Sequence, residues 1–204
     1  MANILETIVT WALNLINTFG YSGLFFTMAL ESAGIPIPSE VVVPFAGFLA
    51  SSGRFDFWLV ALVATLANLT GAIIFYFVGY YLGTAFLHKY GKYILMHKDD
   101  IEKMDRWLQS HGGRVAFFSR LIPGMRTFSS LVIGASEVRF PIFFWYTLFG
   151  SLVWNLPWAY AGYVTGNHWN QFQPYVRRFD YVIGAIMVVA IVIFVSRHFR
   201  KIRK

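Results

Sequence analysis

The chain has 204 residues, 57% of them hydrophobic and only 13% charged, and its mean hydropathy lies above zero. A soluble domain carries about 25% charged residues, so this balance excludes an ordinary water-soluble globule and indicates an integral membrane protein. The formal charge of +7 would suggest nucleic acid on a soluble protein; here the basic residues gather in a linker and a tail, which suits an anionic leaflet instead.

Taken in order, residues 4–16 place apolar side chains at 4, 5, 8, 9, 12, 15 and 16 opposite Asn3, Thr7, Thr10, Asn14 and Asn17. That spacing predicts an amphipathic helix lying in the membrane interface. No Lys or Arg precedes it, which argues against a cleaved signal peptide. Residues 24–50 are apolar but cut near their middle by Pro36 and Pro38, with Pro44 beyond, each expected to break regular helix. Each arm is about 13 residues, or roughly 20 Å as helix, short of the roughly 30 Å hydrocarbon core. The segment is therefore expected to be a re-entrant helical hairpin. Residues 57–86 are long enough to cross and contain Asn68, Gly71 and Gly79-x-x-x-Gly83, a face suited to packing within the chain or between copies in a homo-oligomer.

Residues 88–114 hold most of the interior charge. Asp99-Asp100-Ile101-Glu102 resembles a capping box, and Ile101, Met104 and Leu108 share one helical face, predicting a short helix on the membrane surface. Residues 115–136 form a second broken apolar stretch, interrupted at Pro123 and Gly124 and carrying Arg120 and Arg126. Residues 140–166 can cross, with Pro141, Asn155 and Pro157 inside, and residues 181–195 form a further apolar span before a basic tail.

The chain also repeats itself. Ile37-Pro38 matches Ile122-Pro123, Arg54-Phe55 matches Arg139-Phe140, and Gly79-Tyr80-x-x-Gly83 matches Gly162-Tyr163-x-x-Gly166. A hairpin followed by one crossing per copy forces the second copy into inverted topology, the arrangement of many secondary transporters. The expected organisation is an N-terminal helix (1–19), a first repeat (20–87), a linker (88–112), a second repeat (113–167) and a C-terminal span with tail (168–204). Lys89, Lys92, Lys98, Lys103, Arg106 and Arg114 in the linker, and Arg197, Arg200, Lys201, Arg203 and Lys204 in the tail, place both on the cytoplasmic side.

Four ionisable residues fall within the broken segments: Glu31 and Glu40 in the first, Arg120 and Arg126 in the second. Each costs roughly 2.5–3.5 kcal/mol near the middle of a spanning helix, so their presence calls for a reason. Guanidinium forks match phosphate oxygens, and neighbouring carboxylates can exchange protons near neutral pH. Charge alone leaves two readings open: an anion site coupled to protons, or two static salt bridges between the hairpins. Pro36, Pro38 and Pro123 are read as shaping the hairpins. Arg54, Asp56, Glu137 and Arg139 are read as interfacial charges, and Asn68 and Asn155 as interhelical hydrogen-bonding residues. His88, His97, His111, His168 and His198 show no metal spacing, and no phosphate-binding Gly-Lys-Ser/Thr loop occurs; neither metal nor cofactor is expected.

Glu31-x4-Pro36-x-Pro38-Ser39-Glu40, Phe118-x-Arg120-x-x-Pro123-x-x-Arg126 and Gly150-Ser151-x-x-Trp154-Asn155 together resemble the bacterial DedA family, related to the VTT-domain lipid scramblases of eukaryotes. The resemblance runs from about residue 20 to 169. It implies an all-α polytopic protein of the bacterial inner membrane with two re-entrant hairpins, moving lipid carriers across the bilayer. Undecaprenyl phosphate is the substrate it best implies, with phosphatidylethanolamine for other members. The family's acidic pair falls on Glu31 and Glu40, here expected to bind substrate and couple protons, and its arginine pair on Arg120 and Arg126. In some members the second acid is Asp at another spacing, whereas here it is Glu40 within Pro38-Ser39-Glu40.

Three functions compete on the residues. Transport of an anionic lipid fits the paired charges and the repeat. A lipid phosphatase or phosphotransferase lacks a nucleophile–base arrangement, with no cysteine anywhere and no histidine in either hairpin. A proton-coupled antiporter for drugs or cations suits the carboxylates, but two buried arginines would repel a cation. The chain is thus expected to be a transporter and not an enzyme.

Overall fold

A computed structural model describes residues 2–35, 37–90, 98–122 and 125–166. Every regular element among them is helical: α1 (Ala2–Phe19), α2 (Tyr21–Ser32), α3 (Ser39–Ser51), α4 (Phe57–Tyr90), α5 (Lys98–Ser119), α6 (Met125–Ala135) and α7 (Phe140–Thr165). The C-terminal span and basic tail expected at 168–204 lie outside the described residues, as do Pro36 and Pro123.

Helix α1 shows the expected amphipathicity: Val9, Ala12 and Ile16 are buried, while Thr10, Asn14 and Asn17 are exposed. Gly20, at φ +63°, ends it and turns the chain into α2. The first proline cluster breaks the chain between α2 and α3 as expected, with Pro38 in extended backbone at the start of α3. Pro44 does not break it: α3 runs through Pro44, losing only the one N–H that a proline lacks. The Pro44 carbonyl lies directly against Gly162 of α7, where the two helices approach closely.

Helix α4 continues to a break at Gly83, at φ +64°. Its stretch Phe57–Gly83, 27 residues, is the one described helix both long and apolar enough to cross a bilayer. Asp56 caps it, its carboxylate accepting the Leu59 N–H at 2.9 Å. Helix α7 has 26 residues, enough in length, but its interior includes Pro157, Asn155 and Ser151. Helix α5 passes without a break through Gly112 and Gly113, the point where the sequence places the start of the second repeat. Those glycines face Val138 and the Tyr146 ring so closely that a Cβ would strike either side chain.

The repeat is visible in what packs on what. Helix α2 lies against α4 and α5 against α7, whereas α3 crosses to α7 and α6 crosses to α4. Each half thus gives the second helix of its broken segment to the long helix of the other half. The glycines that match in sequence do the same work at these crossings. A Cβ on Gly162 would strike the Pro44 carbonyl of α3, and one on Gly79 the Leu131 carbonyl of α6. Gly79 and Gly162 therefore pack inside the chain, while their partners Gly83 and Gly166, both at positive φ, end the helices. Replacing Gly162 by Ala should cost about 1–3 kcal/mol, because backbone must move to admit the methyl group. Val164→Ala, on an exposed face of the same helix, should stay within about 0.5 kcal/mol. Thermal unfolding of both variants in detergent checks this.

Candidate functional site

The crossed packing brings the ends of the two broken segments together in the interior. Glu31 closes α2, Glu40 opens α3, Arg120 follows α5 and Arg126 opens α6. All four are buried, with 5%, 3%, 1% and 5% of their surfaces exposed. Charged groups are almost never this buried unless paired, and here the pairing is uneven.

Arg126 forms an ion pair with Glu31. Its Nη2 also donates to Ser39 Oγ at 2.8 Å, and its guanidinium lies over the Trp154 ring, 5.6 Å from the centroid. Ser39 is the hub: besides Arg126 it accepts from Trp154 Nε1 at 3.3 Å and donates to Glu40 Oε2 at 3.3 Å. Glu40 thereby joins Arg126 through one hydroxyl, and makes no ion pair among the described residues. Its Oε1 has no hydrogen-bond partner there.

Arg120 stands apart. Its Nη2 donates to Ser130 Oγ, which in turn donates to the Arg126 carbonyl at 3.1 Å. Its Nε and Nη1, and Nη1 of Arg126, find no acceptor among the described residues. The Arg120 stem packs on Gly150 of α7, whose bare face admits it. On that same helix the buried hydroxyls of Thr147 and Ser151 are also without a partner among the described residues. Elsewhere in the protein Thr27, Thr65 and Thr165 bond back to the carbonyl four residues earlier, the usual resort of a helical hydroxyl. Three N–H-bearing nitrogens of Arg120 and Arg126 are thus buried without an acceptor among the described residues, which is the complement of an anion bearing several oxygens.

A second polar chain runs from the end of α2 into the long helices. Ser32 Oγ donates to Asn68 Oδ1 at 3.2 Å, Asn68 Nδ2 to Asn155 Oδ1 at 3.5 Å, and Asn155 Nδ2 to Thr65 Oγ1 at 3.5 Å. Asn68 and Asn155 therefore link α4 to α7, as the sequence suggests. Arg54 bonds Asn17 and Asp56 caps α4, so both act locally. Sequence reasoning missed Ser39 and Ser130 as connectors; their only signal is a hydroxyl next to, or one turn after, a charged residue. Among the described residues no group of three or more His, Asp or Glu is placed to hold a metal ion.

A VTT-domain family profile matches residues 37–164. A Lactococcus lactis protein named alkaline phosphatase-like protein is 32% identical over 92% of this chain and 92% of its own length. Undecaprenyl phosphate transporter A of Bacillus subtilis is 29% identical over 95% of this chain and 94% of its own, and an uncharacterized membrane protein of the same organism is 29% identical over 97% and 87%. No solved structure matches the chain. The chain belongs to the VTT-domain, or DedA, family of membrane proteins.

Proposed function

We propose that the protein moves an anionic lipid, undecaprenyl phosphate in the first instance, across the bacterial cytoplasmic membrane. The observation that carries this reading is that Arg120 Nε and Nη1 and Arg126 Nη1 are buried without an acceptor among the described residues, where a phosphate would supply the missing oxygens. The relatives named as undecaprenyl phosphate transporters support the choice of lipid. In this reading α2–α3 and α5–α6 are re-entrant hairpins of inverted topology, with Pro36, Pro38 and Pro123 shaping their tips. The linker and tail face the cytoplasm, and the lipid's chain stays in the bilayer while its headgroup crosses between the hairpins.

The carboxylates divide the work. Glu31 occupies Arg126 when no phosphate is present, so lipid phosphate and Glu31 compete for one guanidinium. A proton on Glu31 would free Arg126 for substrate, and a proton leaving it would help expel substrate. Glu40 reaches the same guanidinium only through Ser39, and is the second proton carrier. A lipid phosphatase is the weaker reading. Ser39, the hydroxyl best placed against Arg126, already accepts from Arg126 and Trp154 and donates to Glu40, so both of its lone pairs are taken.

Purified protein in proteoliposomes should translocate the headgroup of undecaprenyl phosphate faster than that of phosphatidylethanolamine, without releasing inorganic phosphate. Equal rates for both lipids would make it a general phospholipid scramblase. Phosphate release would make it an enzyme, and no movement of either lipid would remove the transport reading.

A further inference from the structure

The buried arginines have a neighbour on the surface that the site does not use. Along the outer face of α5 and the turn into α6 lies a cavity of about 390 Å³, a size within the roughly 300–1,000 Å³ of small-ligand sites. Trp107, Phe118, Ile122 and Met125 form its apolar walls and are all exposed. Arg114, with His111 beside it, forms its basic end. Arg114 is exposed and makes no hydrogen bond or ion pair among the described residues.

Exposed apolar side chains on a membrane protein need no partner beyond lipid, and a cation beside them at the membrane surface attracts an anionic headgroup. Arg114 is the one charged residue between His111 and Ser119, and stands about 8 Å along the helix axis from Ser119. The anion that a bilayer offers at such a place is a lipid phosphate. The walls of the groove also adjoin the buried charges along the chain. Its buried wall residue Ser119 precedes Arg120, and Met125 precedes Arg126. Ser129 ties these walls together, its Oγ lying 2.8 Å from Ser119 Oγ and 3.0 Å from the Arg126 carbonyl.

We propose that this groove is the docking site from which substrate enters: a single-chain polyprenyl monophosphate lies with its phosphate on Arg114 and its chain along Phe118, Ile122 and Met125. Ser119 and Met125 of its walls each lead directly into Arg120 and Arg126, to which the headgroup then passes. The entry role rests on those two arginines being the phosphate site, whereas the docking itself does not.

The test is photolabelling of the full chain in detergent by a polyprenyl monophosphate carrying a diazirine on its chain, followed by peptide mapping. Label should concentrate in residues 107–125 and be competed by unlabelled undecaprenyl phosphate. Arg114→Gln should lower it about tenfold, the loss expected for one charge-assisted hydrogen bond to phosphate. Label spread equally over other apolar faces such as that of Trp58 and Tyr81, or unchanged in Arg114→Gln, would overturn the proposal. Equal competition by phosphatidylglycerol would also overturn it, by making the groove a site for bulk anionic lipid. The two readings separate in Arg120→Met. Groove label that persists while translocation stops supports both; groove label that depends on Arg114 while Arg120→Met translocates normally keeps the docking site and removes the buried phosphate site.

Discussion

Replacing Arg120 by methionine should abolish lipid translocation while leaving the protein as stable in detergent as before, or more so. Arg120 has no carboxylate partner among the described residues, and two of its N–H-bearing nitrogens are buried without an acceptor. Each such buried donor costs about 1–3 kcal/mol, so removing them offsets the lost bond to Ser130. Methionine is unbranched and adaptable enough to fill the slot against Gly150. Arg120→Lys keeps the charge but loses the planar fork, and should restore only part of the transport. If Arg120 were structural glue, the methionine variant would instead lose stability on the scale of a broken buried pair, about 3–5 kcal/mol. Thermal unfolding and proteoliposome transport of the same preparation check both halves.

Glu31→Gln should be the most destabilising of the single substitutions among the four charges. It leaves the Arg126 guanidinium buried with its ion-pair partner gone, a loss of about 3–5 kcal/mol. Glu31→Gln combined with Arg126→Gln should recover most of that loss, because two neutral side chains replace the pair, yet transport should stay absent. Glu40→Gln should behave differently. Glu40 makes no ion pair among the described residues and its side-chain donor is Ser39, so the amide should change stability by less than about 1 kcal/mol. Its effect should fall on the dependence of transport rate on a pH gradient. Unfolding of the three variants side by side checks the order, and a stability loss in Glu40→Gln equal to that in Glu31→Gln would contradict the unequal pairing.

The helices and their breaks were legible because proline, glycine and apolar run length act locally. The Gly20 turn, the interruption before Pro38 and the break before Met125 all stand where backbone chemistry demands them. The matching glycines were legible as packing positions, but their pairing with α6 and α3 was not. Pro44 misled, because α3 runs through it and gives up only the hydrogen bond that a proline cannot donate. The four charges were legible as a set, since each is expensive at that depth. Which arginine pairs with which carboxylate was not, because it depends on how α3 and α6 cross to the opposite long helices. Ser39 was hidden for the same reason: its partners Arg126 and Trp154 lie 87 and 115 residues away.

If Arg120 and Arg126 hold a lipid phosphate, that lipid should stabilise the folded protein. A ligand that binds only the folded protein stabilises it by about 2.7 kcal/mol at a hundred times its Kd. Undecaprenyl phosphate should therefore raise the unfolding temperature of the wild-type protein in detergent, and phosphatidylethanolamine should raise it less. Arg120→Met, folded and stable, should show no response to undecaprenyl phosphate. An equal rise in wild type and Arg120→Met would contradict the account, since the phosphate would then be held without the guanidinium on which the reading rests.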